Sequence, residues 1–236
     1  LAYSCNSYFL QVFRMAIDNP KYHNAKKGYL KWKDYMNAFG FGKKLGVDLP
    51  SENRANIPDT AQYNRDFGGA KYWNSCYMLT LGIGQDRMTA TPLQLANAMA
   101  YLANSGFYYT PHFVDSIENE DEEDKAMLEK YRTKIEVTKI AKQYFDVIKE
   151  GMHDVTVIGT AAFIKVPGHD FCAKTGTAQN PHGKNHSLFV CFAPKENPTI
   201  AVAVVVENAG YGSTWAGPIA GLMMEKYLND TLTTES

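Results

Sequence analysis

The chain has 236 residues, 45% hydrophobic and 13% aromatic, which is enough apolar material for a sizeable core and excludes a disordered chain. Lysine and arginine number 24 against 25 aspartates and glutamates, so the net charge is −1 and nucleic acid is not an expected partner. The longest apolar run, Ile200 to Val206, is far shorter than the roughly 20 residues of a membrane helix. At roughly 100–200 residues per domain, we expect one large domain over residues 1–236.

The first third of the chain is predicted to form two helices and an irregular stretch. Apolar residues recur at helical spacing from Ser7 to Ile17, and Ser4 or Asn6 is placed to cap this helix. A second helix is expected from Leu30 to Phe39. From Gly46 to Leu79, glycine, proline, asparagine and tyrosine occur without a period, which predicts an extended surface excursion rather than a separate core.

Two further helices are expected on either side of an acidic block. The first opens at Thr91-Pro92 and ends by Gly106, since proline suits the first helical position and glycine the end. The second is amphipathic and runs from Thr138 to Met152, where Gly151 and Gly159 interrupt the pattern. Between them, six of the seven residues 118–124 are acidic. Because such a block of like charges stays solvated, residues 115–135 are predicted to be a surface insertion.

The last third favours β structure. Three β-rich runs separated by turn residues predict an antiparallel meander, namely Phe171–Thr177, Ser187–Ala193 and Ile200–Glu207. A final helix is expected from Ala216 to Leu228 and should cover one face. The predicted fold class is therefore α+β with mixed layers, an antiparallel sheet packed between helices.

The four cysteines are too sparse for a disulfide scaffold and are expected to be small buried hydrophobes. A disulfide between Cys172 and Cys191 stays open, because both lie on predicted neighbouring strands. His182 and His186 follow the first of these strands, and a metal site there is the alternative to polar turn residues, which we favour. We therefore expect no metal at these histidines.

Two short groups of residues carry candidate chemistry. Lys174-Thr175-Gly176-Thr177 ends the first predicted strand, where the lysine offers positive charge, the hydroxyls donate to a carboxylate and the glycine admits a substrate backbone. Ser4-Cys5-Asn6 places a hydroxyl and an amide at a helix mouth, suited to relaying a proton and holding a substrate amide. A helix cap is the plainer interpretation of the second group, and each group alone is a weak signal.

Together, these groups resemble the Lys-Thr-Gly and Ser-x-Asn motifs of penicillin-binding proteins and serine β-lactamases. Other segments make the likeness to class B penicillin-binding proteins close and extend it from Ser4 to about Asn229. These segments are Leu81-Gly82-Ile83-Gly84-Gln85, Thr89-Ala90-Thr91-Pro92-Leu93-Gln94, Gly159-Thr160-Ala161, Phe192-Ala193-Pro194 and Val204-Val205-Val206-Glu207-Asn208. The resemblance implies the C-terminal part of a single transpeptidase domain of the penicillin-binding and β-lactamase-like fold, incomplete at its N-terminal end.

One departure from the family concerns the nucleophile. The family carries it as the serine of a Ser-x-x-Lys motif upstream of Ser-x-Asn, and no Ser-x-x-Lys occurs in this sequence. Ser4 stands three residues after Leu1, and the chain begins with neither a methionine nor a leader. We therefore expect a piece of a longer protein that is catalytically inactive by itself.

The resemblance implies the chemistry of the longer protein. Its serine would attack the carbonyl of a D-alanyl-D-alanine stem peptide, release D-alanine and pass the acyl group to a second stem peptide, and β-lactams would acylate it. Ser4 and Lys174 would tune the catalytic base and protonate the leaving amine. Thr175 and Thr177 would hold the substrate carboxylate beside Gly176, with the Thr177 N–H as half of an oxyanion hole. Asn6 would hold the substrate's amide side chain.

The resemblance also implies cell-elongation membrane proteins as partners and a position on the outer, periplasmic face of the bacterial cytoplasmic membrane. The anchor would be a segment absent from this chain, and neither a metal nor an organic cofactor would be needed. Two alternatives remain: a β-lactamase or D,D-carboxypeptidase that passes the acyl group to water, and a nucleophile-free sensor or scaffold. Tyr211, Gly212 and Trp215 either wall the substrate groove or pack on their own domain.

Overall fold

The computed structural model describes residues 1–136 and 140–233, which divide into two compact units with separate buried cores. The helical unit consists of residues 5–44 and 53–91. The sheet unit consists of residues 1–4, 45–52 and those from Pro92 onward. Among the described residues, every helix is too short or too polar to cross a membrane.

The helical unit is built from short helices around an aromatic core. Its helices are α1 (Asn6–Ile17), α2 (Ala25–Ala38) and α3 (Thr60–Asp66), with 3₁₀ helices at Pro20–Tyr22 and Ser75–Ile83. Helix α1 confirms the first predicted helix, but its N-cap is Cys5, so the capping role predicted for Ser4 or Asn6 is wrong. Helix α2 begins five residues before the predicted Leu30, because the Asn24 side chain accepts from Lys27 N at 3.0 Å and caps it.

The stretch from Gly46 to Leu79 corrects the sequence prediction most. Instead of an extended excursion, it contains α3 and supplies Tyr63, Trp73 and Met78 to the core of the helical unit. The Trp73 indole N–H also donates to Asn64 Oδ1 at 2.8 Å. These aromatic residues have no local period because partners distant in the chain bury them, so a periodicity search cannot find them.

The sheet unit carries the longer elements, which are α4 (Pro92–Ala103), β1 (Phe107–Tyr109), α5 (Glu122–Arg132), β2 (Lys134–Glu136), α6 (Lys142–Val157), β3 (Cys172–Ala178), β4 (His186–Ala193), β5 (Ile200–Val206) and α7 (Ala216–Asn229). Strands β3, β4 and β5 form the predicted antiparallel meander with β4 in the centre. Helices α4 and α7 pack on β4 and β5, and α6 packs on β3. The α+β fold class, the three strands, α4 and α7 are thereby confirmed.

The strand register shows whether Cys172 and Cys191 can form a disulfide. Cys191 on β4 is opposite Ala173, and Cys172 is opposite Phe192. Because successive side chains of a strand point to opposite faces, the two sulfur atoms lie on opposite sides of the sheet. Both are free thiols, and burial raises the pKa of Cys172 to about 12 and that of Cys191 further.

The acidic block is mostly exposed, as predicted, but it has structure of its own. Asp121 caps α5 through a capping box, and the acids of the first turn suit the positive end of the helix dipole. Leu128 and Tyr131 are buried, so only part of residues 115–135 is a surface feature. The short β1–β2 pair and α5 were not predicted.

Helix α6 differs from its predicted bounds at both ends. It begins at Lys142, while Thr138 and Lys139 of the predicted helix lie outside the described residues. It also continues through Gly151 to Val157, so Gly151 does not break it. A Cβ at Gly151 would lie 2.7 Å from Leu1 Cδ1, which shows that the glycine provides space for the first residue of the chain.

Two glycine substitutions should differ in effect. A Cβ at Gly28 would lie 1.9 Å from the Ile17 carbonyl oxygen, so Gly28→Ala forces backbone apart and should cost about 3 kcal/mol of unfolding free energy. At Gly151 the obstacle is the end of a flexible side chain, and alanine gains up to about 1 kcal/mol of helix propensity. Urea unfolding of both variants followed by circular dichroism measures the difference. Equal stability of the two would contradict the packing at Gly28.

Candidate functional site

Lys174 of the first predicted motif and Ser4 of the second meet in the sheet unit. Lys174 Nζ donates to Ser4 Oγ, a hydrogen bond between residues 170 positions apart in the chain. It also donates to the Thr175 carbonyl oxygen at 2.9 Å. Lys174 is half-buried, and this burial lowers its pKa to about 8. A lysine in this state can exchange a proton with the Ser4 hydroxyl near neutral pH.

The fold holds both partners of this hydrogen bond firmly. Lys174 lies on β3, in register with Val190 of the central strand β4. Ser4 has a left-handed backbone (φ 50°), and its N–H donates to Leu1 O at 3.1 Å. Leu1 packs against the core of the sheet unit, so the segment 1–4 is anchored.

Thr160 links the segment 1–4 to strand β3. Its N–H donates to Ala2 O at 3.1 Å, and its hydroxyl lies 2.8 Å from the Thr175 hydroxyl. Gly159 permits this approach, because a Cβ there would lie 2.4 Å from Ala2 O. The sequence interpretation used Gly159-Thr160-Ala161 only as part of the resemblance and assigned Thr160 no role.

Strand β3 is an edge strand of the β3-β4-β5 sheet within the described residues. Thr175 and Thr177 are two positions apart on it and therefore share a face. Gly176 lies between them, opposite Leu188. An edge of this kind can accept an extended peptide as an additional strand.

The loop after β5 lies across the sheet at Gly176. A Cβ at Gly212 would lie 2.3 Å from Gly176 O and 2.2 Å from Leu188 O, so only glycine allows this contact. The buried Ser187 hydroxyl holds the loop, because it donates to Tyr211 O at 2.8 Å and accepts from Ala216 N at 3.1 Å. The sequence analysis did not identify Ser187. The one sequence feature that indicated it was a polar residue at the start of an otherwise apolar strand.

The remaining candidates have different surroundings. Asn6 is the exposed first residue of α1 in the helical unit. Tyr211 and Trp215 are 72% and 55% exposed, which argues against simple packing in the core. In the β3–β4 turn, His182 N donates to Asn180 Oδ1, and at the start of β4 His186 Nδ1 accepts from Asn208 N. Across residues 1–136 and 140–233, no cluster of histidine, cysteine or acidic side chains is arranged to bind a metal.

Known proteins resemble this chain over almost its whole length. Residues 1–225 match the family described as "Penicillin binding protein transpeptidase domain". The peptidoglycan D,D-transpeptidase MrdA of Haemophilus influenzae is 33% identical over 257 aligned positions, covering 97% of this chain and 36% of that protein. This chain thus spans about a third of the length of that curated relative.

Solved structures agree with this match. The crystal structure of Pseudomonas aeruginosa PBP2 in complex with WCK 5153 has a TM-score of 0.76 and 30% identity, covering 98% of this chain and 48% of that one. The complex of PBP2 and MreC from Helicobacter pylori has a TM-score of 0.69 and 27% identity, covering 95% and 38%. The expected resemblance to penicillin-binding proteins is confirmed, and both of these structures contain a penicillin-binding protein 2.

The lowered pKa of Lys174 predicts a pH-dependent stability. Between the folded pKa of about 8 and the ordinary value of 10.5, the unfolded chain binds more protons than the folded one. The lysine therefore makes the free energy of unfolding rise with pH across this window. Relative to Lys174→Met, the wild-type chain should gain stability from pH 8 to pH 10.5 in urea unfolding.

The exposed Lys165 provides a matched control for this measurement. Lys165→Met removes one lysine from the same unit and should follow the wild-type pH dependence. A stability difference between wild type and Lys174→Met that stays constant with pH would contradict the burial of the Lys174 amine.

Proposed function

Since this chain belongs to the penicillin binding protein transpeptidase domain family, we propose that the protein carrying it is a peptidoglycan D,D-transpeptidase. It cross-links D-alanyl-D-alanine stem peptides through a serine acyl-enzyme and is acylated by β-lactams. The observation that carries this proposal is the Lys174 to Ser4 hydrogen bond, with Thr175 beside it. It joins the lysine of the Lys-Thr-Gly motif to the serine of the Ser-x-Asn motif within the sheet unit.

The proposed proton path follows from this geometry. A lysine with a pKa of about 8 and a serine hydroxyl in contact form a relay that can deliver a proton to the leaving amine. The relay also keeps positive charge beside the catalytic base. Ser4 and Lys174 are therefore assigned to proton transfer and electrostatics rather than to nucleophilic attack.

The nucleophile itself is assigned to a part of the protein outside these residues, since they contain no Ser-x-x-Lys. The MrdA relative is about three times as long as this chain, which is consistent with that assignment. This chain alone is proposed to be inactive. No metal or organic cofactor is required.

Substrate binding is assigned to β3. The stem peptide lies along the strand edge, where Gly176 admits its backbone and the Thr175 and Thr177 hydroxyls hold its carboxylate. The Thr177 N–H supplies half of the oxyanion hole, and such a donor is worth roughly 3–4 kcal/mol in the transition state. Asn6 binds the amide side chain of the substrate.

The proposed setting is the outer face of the bacterial cytoplasmic membrane, with an anchor outside this chain. Cell-elongation membrane proteins are the proposed partners. The Helicobacter pylori PBP2 structure, a complex with MreC, supports this class of partner.

Acylation by benzylpenicillin tests the proposal. The full-length protein should gain a single adduct by intact-mass spectrometry, on a serine of a Ser-x-x-Lys motif, and this chain alone should gain none. Lys174→Ala in the full-length protein should lower the acylation rate constant by about 100-fold or more, because general acid–base groups contribute about that much. Lys165→Ala, which removes an exposed lysine, should leave the rate unchanged.

Other outcomes would favour other functions. No adduct on a folded full-length protein supports the sensor or scaffold. Rapid release of hydrolysed penicillin supports a β-lactamase, and removal of D-alanine without cross-linking supports a carboxypeptidase. Wild-type acylation of Lys174→Ala would remove Lys174 from the mechanism.

A further inference from the structure

Thr160 lies between α6 and β3, and its backbone has little freedom to move. Gly159, just before it, is packed so closely that a Cβ would lie 2.4 Å from Ala2 O and 2.7 Å from Val155 Cα. Ala161, just after it, is fully buried, and its N–H donates to Val155 O at 3.0 Å. The Thr160 hydroxyl is therefore presented to Thr175 from a fixed position.

The pair of hydroxyls has a limited set of arrangements. Each hydroxyl has one proton to donate, and the oxygen atoms of Thr160 and Thr175 are 2.8 Å apart, so one donates to the other. When the Thr175 proton is directed to a bound carboxylate, the Thr175 oxygen is left to accept. Thr160 is then the donor. Lys174 Nζ is farther from this oxygen, at 3.5 Å.

We propose that Thr160 is a positioning residue for carboxylate recognition. It donates its hydroxyl proton to Thr175 and thereby directs the Thr175 proton to the carboxylate of the stem peptide or β-lactam. This inference rests on the proposed function and extends it. Thr160 needs no contact with the substrate, because it acts through Thr175.

Two substrates, one with a carboxylate and one with its methyl ester, distinguish a role in carboxylate recognition from a purely structural role. The second-order acylation rate constants of the full-length protein are measured with benzylpenicillin and with its methyl ester, which lacks the anionic carboxylate. Thr160→Val keeps the shape of the side chain but has no proton to donate. It should lower the rate for benzylpenicillin about five- to tenfold, the effect of one hydrogen bond, with little change for the ester. Thr160→Ser, which keeps a hydroxyl, should restore the wild-type ratio of the benzylpenicillin rate constant to the ester rate constant.

Thr156 offers a matched control. Its hydroxyl is buried and, like that of the half-buried Thr160, hydrogen-bonded, but to the His153 and Phe171 carbonyl oxygens. Thr156→Val loses a comparable hydroxyl in the same unit away from Thr175. It should change stability and leave the ratio of carboxylate to ester rates at the wild-type value.

The proposal also predicts what happens when the Thr175 hydroxyl is removed. In a Thr175→Val background, where no hydroxyl receives the proton, Thr160→Val should have no additional effect on the ratio. If Thr160→Val does not fold, Thr160→Cys, whose thiol is a weak donor, should give an intermediate ratio.

The two levels of inference fail differently. A wild-type protein that is not acylated overturns the proposed function and this inference with it. A wild-type protein that is acylated, together with an unchanged ratio in Thr160→Val or Thr160→Cys, overturns the inference alone. Equal losses for both substrates also overturn it, because they indicate only structural damage.

Discussion

The structure of the site depends on one constraint, a lysine amine held away from water and satisfied by a hydroxyl from the far end of the chain. Lys174 Nζ has Ser4 Oγ and the Thr175 carbonyl oxygen as acceptors. Burying the amine without such acceptors would cost several kcal/mol of folding free energy. Because the segment 1–4 provides Ser4, the amine can be buried at this position. The lowered pKa of Lys174 follows from the same burial.

The need to bring Ser4 to Lys174 explains two glycines that lie away from the Ser4 hydroxyl. Segment 1–4 can reach Lys174 only if its backbone approaches the loop after α6, which requires glycine at position 159. Gly151, in the middle of α6, makes the corresponding space for Leu1. Both glycines looked like helix breakers in the sequence. In the structure they admit the first residues of the chain.

Local patterns predicted the elements whose burial follows a local period. The three strands, α4 and α7 were found because apolar residues recur along each of them. The aromatic core of the helical unit was not found, because Tyr63 and Trp73 are buried by residues distant in sequence. Helix α5 was missed because its acids suggested solvation rather than a capped first turn. The motifs identified Ser4, Lys174 and Thr175, but no motif identified Ser187, since its role depends on a loop after β5.

The glycine of the Lys-Thr-Gly motif has a physical reason within this chain. A Cβ at Gly176 would lie 3.1 Å from Leu188 Cβ, while the backbone of Gly212 already lies against Gly176 O and N. A side chain at position 176 would thus meet Leu188 of β4, whereas the loop after β5 lies against the backbone of Gly176. Ser187 fixes that loop through both of its hydrogen bonds, and the loop in turn requires glycine at its own position 212. The same attachment leaves the Tyr211 side chain exposed, so the loop that packs on the Gly176 backbone also presents an aromatic side chain to solvent.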